Sequence, residues 1–112
     1  MLMADELKDK ICVPCQGGIP PLTFKEAKSL LRKISGWELQ EEATRLYRSF
    51  KVSDFQAALD FVNKVGIIAE EKGHHPDIKF GWGYINILIF THKINGLHEN
   101  DFILAAKINT IA

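Results

Sequence analysis

The sequence is short of several things, and each shortage closes a class of protein. Two cysteines in 112 residues, Cys12 and Cys15, are too few for a disulfide scaffold. There is no basic run, and 14 Lys and Arg are matched by 14 Asp and Glu, for a formal net charge of zero. That gives no electrostatic footprint for nucleic acid. No apolar stretch approaches the roughly 20 residues needed to cross a bilayer. The opening Met1-Leu2-Met3-Ala4-Asp5-Glu6 carries acids early and lacks a basic segment followed by an apolar one, which argues against a signal peptide. There is no Gly-x-Ser-x-Gly nucleophile motif and no glycine loop of the phosphate-cradling type. Internal repeats and low-complexity segments are absent too. The expectation is a cytoplasmic protein of one domain, with no membrane and no direct nucleic-acid partner.

What is present divides into an arm, residues 1–22, and a folded domain, residues 23–112. Prolines and glycines punctuate the arm at Pro14, Gly17-Gly18 and Pro20-Pro21, so a long helix is not expected there. Leu2 to Ile11 is at most a short helix. Thr23-Phe24-Lys25-Glu26 has the form of a capping box. Ala27, Leu30, Leu31 and Ile34 then repeat at helical spacing until Gly36. Trp37 to Gln40 alternates as a strand does, and Thr44 to Val52 reads as its hairpin partner. Ser53 to Gln56 is a second capping-box candidate. Phe55, Ala58, Leu59, Val62, Val65 and Ala69 mark one face of a long helix, with Gly73 placed to cap its end. Asp77 to Gly81 and Tyr84 to Thr91 read as two further strands. In the second of these, both faces are largely apolar and need covering, one by helices and the other by a second subunit or a ligand. Asn100 is a candidate cap for a last helix carrying Phe102, Ile103, Ala106 and Ile111. The order α-β-β-α-β-β-α predicts an α+β fold, a four-stranded antiparallel sheet with helices packed on one face.

All four histidines lie between positions 74 and 98. Pro76 biases His75 toward an extended conformation, and successive side chains of an extended segment point to opposite sides. His74 and His75 are therefore expected to do different jobs rather than clamp one metal. His92 ends the strongest strand and, if that strand is uninterrupted, shares parity with Tyr84, Asn86 and Phe90. A strand end and a helix end can meet, which would bring His92 to His74 or His75. A histidine at a helix C-terminus is also favoured by the dipole and needs no catalytic duty; His98 reads as a solvated loop residue. Two imidazoles facing one substrate supply a general acid and a general base near neutral pH. A dehydration needs both.

The elements Glu70-x-x-x-His74-His75-Pro76, then Thr91-His92 with His92 seventeen residues after His75, Gly96-Leu97 and Asp101, together with Gly36-Trp37, resemble the pterin-4a-carbinolamine dehydratase family. The resemblance runs from about Leu22 to Ile108. It implies dehydration of 4a-hydroxytetrahydrobiopterin to the quinonoid dihydropterin plus water, within tetrahydrobiopterin recycling. It implies no cofactor, and a homodimer or homotetramer. By position, His74 and His92 would be the acid–base pair, and His75 would bind substrate and shape the site. Trp37, Glu70 and Asp101 match positions that line or support the pocket. Backbone around Gly73 to His75 and Phe90 to Lys93, including Thr91, would hold the pterin's polar edge beside Pro76. Either Glu70, one turn before His74, or Asp101, at the start of the last helix, can orient an imidazole. Three positions depart from the family pattern: Gly73 replaces the acid that animal members tend to carry, Ile78 stands where an aromatic is common, and Phe90 where a small polar residue is familiar.

Two rival functions stand beside the enzyme. One is a non-catalytic dimerisation module or transcriptional coactivator of the same fold, as animal relatives also dimerise a transcription factor. The other is a metal site. Cys12-x-x-Cys15 has zinc-knuckle spacing but only half of the four ligands a structural zinc wants, a set that two arms meeting across a dimer could complete; a redox pair is the other sharp reading, and reduced thiols with no duty are the default.

Overall fold

In a computed structural model, described over Leu7, Lys8 and residues 20–112, the domain follows the predicted order. Cys12 and Cys15 lie outside the described residues. Helix α1 (Phe24–Leu31) is followed by strands β1 (Glu38–Gln40) and β2 (Arg45–Lys51), the long helix α2 (Phe55–Lys72), and strands β3 (Asp77–Gly81) and β4 (Tyr84–Ile89). A 3-10 turn (His92–Ile94) and helix α3 (Glu99–Asn109) complete it. The sheet is antiparallel throughout, in the order β1-β2-β4-β3.

The alternation read in the sequence sets the register. Leu46 pairs with Ile89, Phe50 with Ile85, and Ile87 with Ile78. Ile85, Ile87 and Ile89 are fully buried, each contributing about 1.5–3 kcal/mol of apolar burial. The helices cover this face. The opposite face, with Tyr47, Asn86 and Leu88, stays half-exposed within a single chain. Helix α3 is buried nearly all round, from Asn100 to Ala106 and at Ile108, as its unbroken apolar run requires.

Local chemistry decides where the elements begin and end. The Thr23–Glu26 capping box is formed, with the Thr23 N–H donating to Glu26 Oε1 at 2.8 Å and the Glu26 N–H to Thr23 Oγ1 at 3.2 Å. Helix α1 closes at Leu31, before the expected Ile34, and Gly36 (φ +84°) turns the chain into β1; a Cβ there would fall 2.6 Å from the Arg48 guanidinium carbon. At α2 the cap is Asp54 rather than Ser53, its carboxylate accepting from the Ala57 N–H at 2.8 Å. The buried face of α2 runs through Ala58, Phe61, Val65 and Ala69, while Phe55 is 48% exposed. Its end is the left-handed glycine closure expected of Gly73 (φ 62°): the Gly73 N–H bonds the Glu70 carbonyl and the His74 N–H the Ala69 carbonyl.

Two expectations fail at the other end of the chain. Strand β4 stops at Ile89, because Thr91 turns to pair with Gly96 across a short loop. The parity argument for His92 therefore lapses, since that residue opens a 3-10 turn. The cap of α3 is His98 rather than Asn100. The His98 Nδ1 accepts from the Asn100 N–H at 3.2 Å, and Asp101 closes a capping box by accepting from the His98 N–H at 2.8 Å. Part of the arm is docked: Leu7 is fully buried, and the Leu22 N–H donates to the Leu97 carbonyl at 2.9 Å. No helix among the described residues is long and apolar enough to cross a membrane.

Candidate functional site

The end of α2 and the segment after β4 face each other across a hollow of about 380 Å³. His74, His75 and His92 all line it, with Gly73, Phe90, Thr91 and Lys93. That volume is within the range of small-molecule sites. Among the described residues, three other hollows of similar size are lined by no imidazole.

His74 is the most firmly held of the three. The glycine closure folds its backbone over Ala69, and its ring, 12% exposed, meets the fully buried carboxylate of Asp101 at 2.5 Å from Nε2. Asp101 is satisfied on both oxygens, since Oδ2 accepts from Thr91 Oγ1 at 2.8 Å and from the His98 N–H at 2.8 Å. A buried carboxylate offers only acceptors, so the proton of a neutral His74 sits on Nε2 and Nδ1 becomes the basic nitrogen. The same carboxylate stabilises the imidazolium once Nδ1 has taken a proton.

His75 has a different environment and a different acidic partner. Its ring is 60% exposed and stands 3.4 Å from the Glu70 carboxylate, itself 80% exposed. Glu70 thus partners His75, and Asp101 is the residue that orients His74. His92 is exposed; its ring lies 4.1 Å from that of Phe90, centroid to centroid.

Four residues expected at the pocket do not line it: Glu70 and Asp101 reach it only through His75 and His74, and Trp37 and Pro76 lie elsewhere. Trp37 is 6% exposed and packs edge-on against Phe50. Its indole N–H donates to Asn109 Oδ1 at 2.8 Å, an oxygen that also accepts from Arg48 at 2.6 Å. Burial lowers the pKa of that guanidinium. Pro76 shapes the backbone after His75 without facing the hollow. Among the described residues, no three of His, Cys, Asp and Glu are grouped as a metal cage. Sequence reasoning missed His98, whose cap fixes the position of Asp101, because an imidazole acceptor at an N-cap has no established signature beside the Asn100 candidate.

Comparison with known proteins bears on this arrangement. Residues 20–111 match the family model described as pterin 4 alpha carbinolamine dehydratase. A protein of Methylococcus capsulatus named "Putative pterin-4-alpha-carbinolamine dehydratase" is 57% identical over 109 residues, covering 97% of this chain and 96% of the relative. A protein of the same name from Rubrobacter xylanophilus is 55% identical, over 95% of this chain and 98% of its own. A crystal structure from Brucella melitensis, titled as a transcriptional coactivator/pterin dehydratase, superposes with a TM-score of 0.77 at 34% identity, over 82% of this chain and 98% of the other.

Proposed function

The chain belongs to the pterin 4 alpha carbinolamine dehydratase family, and from that premise we propose that it dehydrates a 4a-hydroxytetrahydropterin, 4a-hydroxytetrahydrobiopterin in the first instance, in recycling of the reduced cofactor. The observation that carries the reading is the meeting of three imidazoles on one hollow, with one of them fixed by a buried carboxylate.

The chemistry follows from the tautomer. Nδ1 of His74 takes the proton of the ring nitrogen next to C4a, and the electrons of that N–H bond form the new C=N bond. The C4a–O bond breaks, and the departing hydroxide receives a proton from His92 and leaves as water. Asp101 holds the charge that develops on His74. His75 flanks the substrate at the open side, and the backbone of Gly73 to His75 and of Phe90 to Lys93 offers hydrogen bonds to its polar edge. All the protons move between imidazoles and substrate, so the reading requires neither metal nor cofactor.

The test is turnover of a synthetic 4a-hydroxytetrahydropterin. His74→Ala and His92→Ala are each expected to lose at least about a hundredfold in kcat, the usual worth of a positioned acid or base, while circular dichroism stays native. Normal turnover by either variant overturns the assignment. So does loss of wild-type activity after chelation. A coactivator role, part of the Brucella protein's title, is the rival reading, but the His74–Asp101 pair favours catalysis, because docking a partner has no need of a buried imidazole–carboxylate pair. Assembly as a homodimer or homotetramer belongs to the same proposal and is read from the mass in solution.

A further inference from the structure

Strand β2 carries a cation whose position the dehydration chemistry leaves unexplained. The Arg45 guanidinium carbon lies over the Phe90 ring, 3.6 Å from its centroid. Each of its nitrogens has a partner. Nη1 donates to the Thr44 carbonyl and Nη2 to Asn95 Oδ1, both at 2.9 Å, and Nε faces the Glu41 carboxylate at 3.5 Å. Only 14% of the side chain is exposed. Both ends of this arrangement reach His92. The Phe90 ring touches the His92 ring at a tilt of 40°, and Asn95, left-handed at φ 47°, closes the turn by donating its N–H to the His92 carbonyl.

The base of the arrangement is itself unusual. Glu41, Glu42 and Ala43, the first three of the four residues between β1 and β2, have φ of 50°, 58° and 65° with no glycine among them. A run of left-handed residues is unfavourable for L side chains and persists where the surroundings over-determine it. This one carries Glu41 to its place beside Arg45.

We propose that Arg45 is a positioning residue for His92, acting through Phe90 and Asn95; the inference rests on the acid–base reading above. His74 needs no such device, because Asp101 fixes it from the core. His92 is exposed and sits on a three-residue turn, so its orientation has to be supplied from outside that turn. A guanidinium suits the task and an ammonium does not, because only the planar fork stacks on a ring while donating to two acceptors.

The test compares wild type with Arg45→Met, Arg45→Lys and Asn95→Gly, the last keeping the left-handed backbone while deleting the Oδ1 acceptor. Two readouts are taken: the ring resonances of His92 by NMR, with those of His74 as internal reference, and kcat and KM separately. Both Arg45 variants are expected to shift or broaden the His92 signals, leave those of His74 in place, and lower kcat roughly tenfold with KM within about twofold, because a misplaced catalytic group costs rate even where binding survives. Asn95→Gly is expected to move the same signals less, and it carries the test if Arg45→Met fails to fold. Unchanged His92 resonances in Arg45→Met or, failing that, in Asn95→Gly overturn the proposal. So does wild-type kcat in Arg45→Lys. If the wild-type protein itself does not dehydrate the pterin, the functional reading falls, while the NMR comparison still decides what Arg45 does.

Discussion

His74 keeps 12% of its side-chain surface exposed and meets a carboxylate with none; His75, the next residue, keeps 60% and faces a carboxylate with 80%. The two rings follow the same helix end, and each has its own acidic partner. The difference is solvent. Removing one member of a buried ion pair leaves an uncompensated buried group and costs about 3–5 kcal/mol, whereas an exposed pair contributes on the order of 0–1 kcal/mol and is screened by salt. One face of the hollow is thus held rigidly from the core, and the other is open to adapt to what enters.

The largest effect is expected from Asp101→Asn. An amide has one acceptor oxygen and one donor nitrogen. If its oxygen keeps Thr91 and His98, its NH2 group faces His74 Nε2, and that nitrogen must then accept. The proton moves to Nδ1, where the base should be. The expected outcome is a folded protein that has lost at least about a hundredfold in kcat, with nitrogen-15 shifts of His74 reporting the reversed tautomer. Wild-type turnover in this variant would remove the buried side of the comparison. Asp101→Ala, by contrast, strips three donors of their acceptor, and it should lose about 3 kcal/mol in denaturant unfolding as well.

Thr91→Val probes the same network more gently. The valine is close to threonine in shape, but it removes the hydroxyl donor to Asp101 Oδ2. Oδ2 still accepts from the His98 N–H, so the carboxylate remains paired. The expected loss is about 1–2 kcal/mol of stability, with a fall in kcat smaller than that of Asp101→Asn. Equal losses of activity in the two variants would mean that Thr91 acts on the substrate directly rather than through Asp101.

How much of this could be read beforehand depended on how local each cause was. That His74 and His75 have different partners was expected from one proline, and the helix end from one glycine, so both were legible. The sheet register followed from alternation at Ile85, Ile87 and Ile89. The split of the two acids was legible only in half. Asp101 was a candidate for His74, but so was Glu70, and spacing alone could not show that the glycine closure folds His74 inward, away from Glu70. The break after Ile89 and the His98 cap depend on a loop pairing, Thr91 with Gly96, that has no periodic signal. Arg45 is fifty residues from Asn95, to which it bonds, and it sits in a segment whose composition says only strand.

The smallest effect is expected on the open side, from Glu70→Gln. The contact with His75 is 3.4 Å long and both groups are largely exposed, so water competes for each. Stability should be unchanged within error, and kcat/KM should move by less than about threefold. The measurement is most informative as a salt series in both proteins. A flat ratio of variant to wild type keeps Glu70 a solvated neighbour of His75. A loss above tenfold that fades as salt is added would mean that substrate binding desolvates the pair. The open side of the hollow would then close over the pterin and become, during turnover, as dry as the side that holds His74.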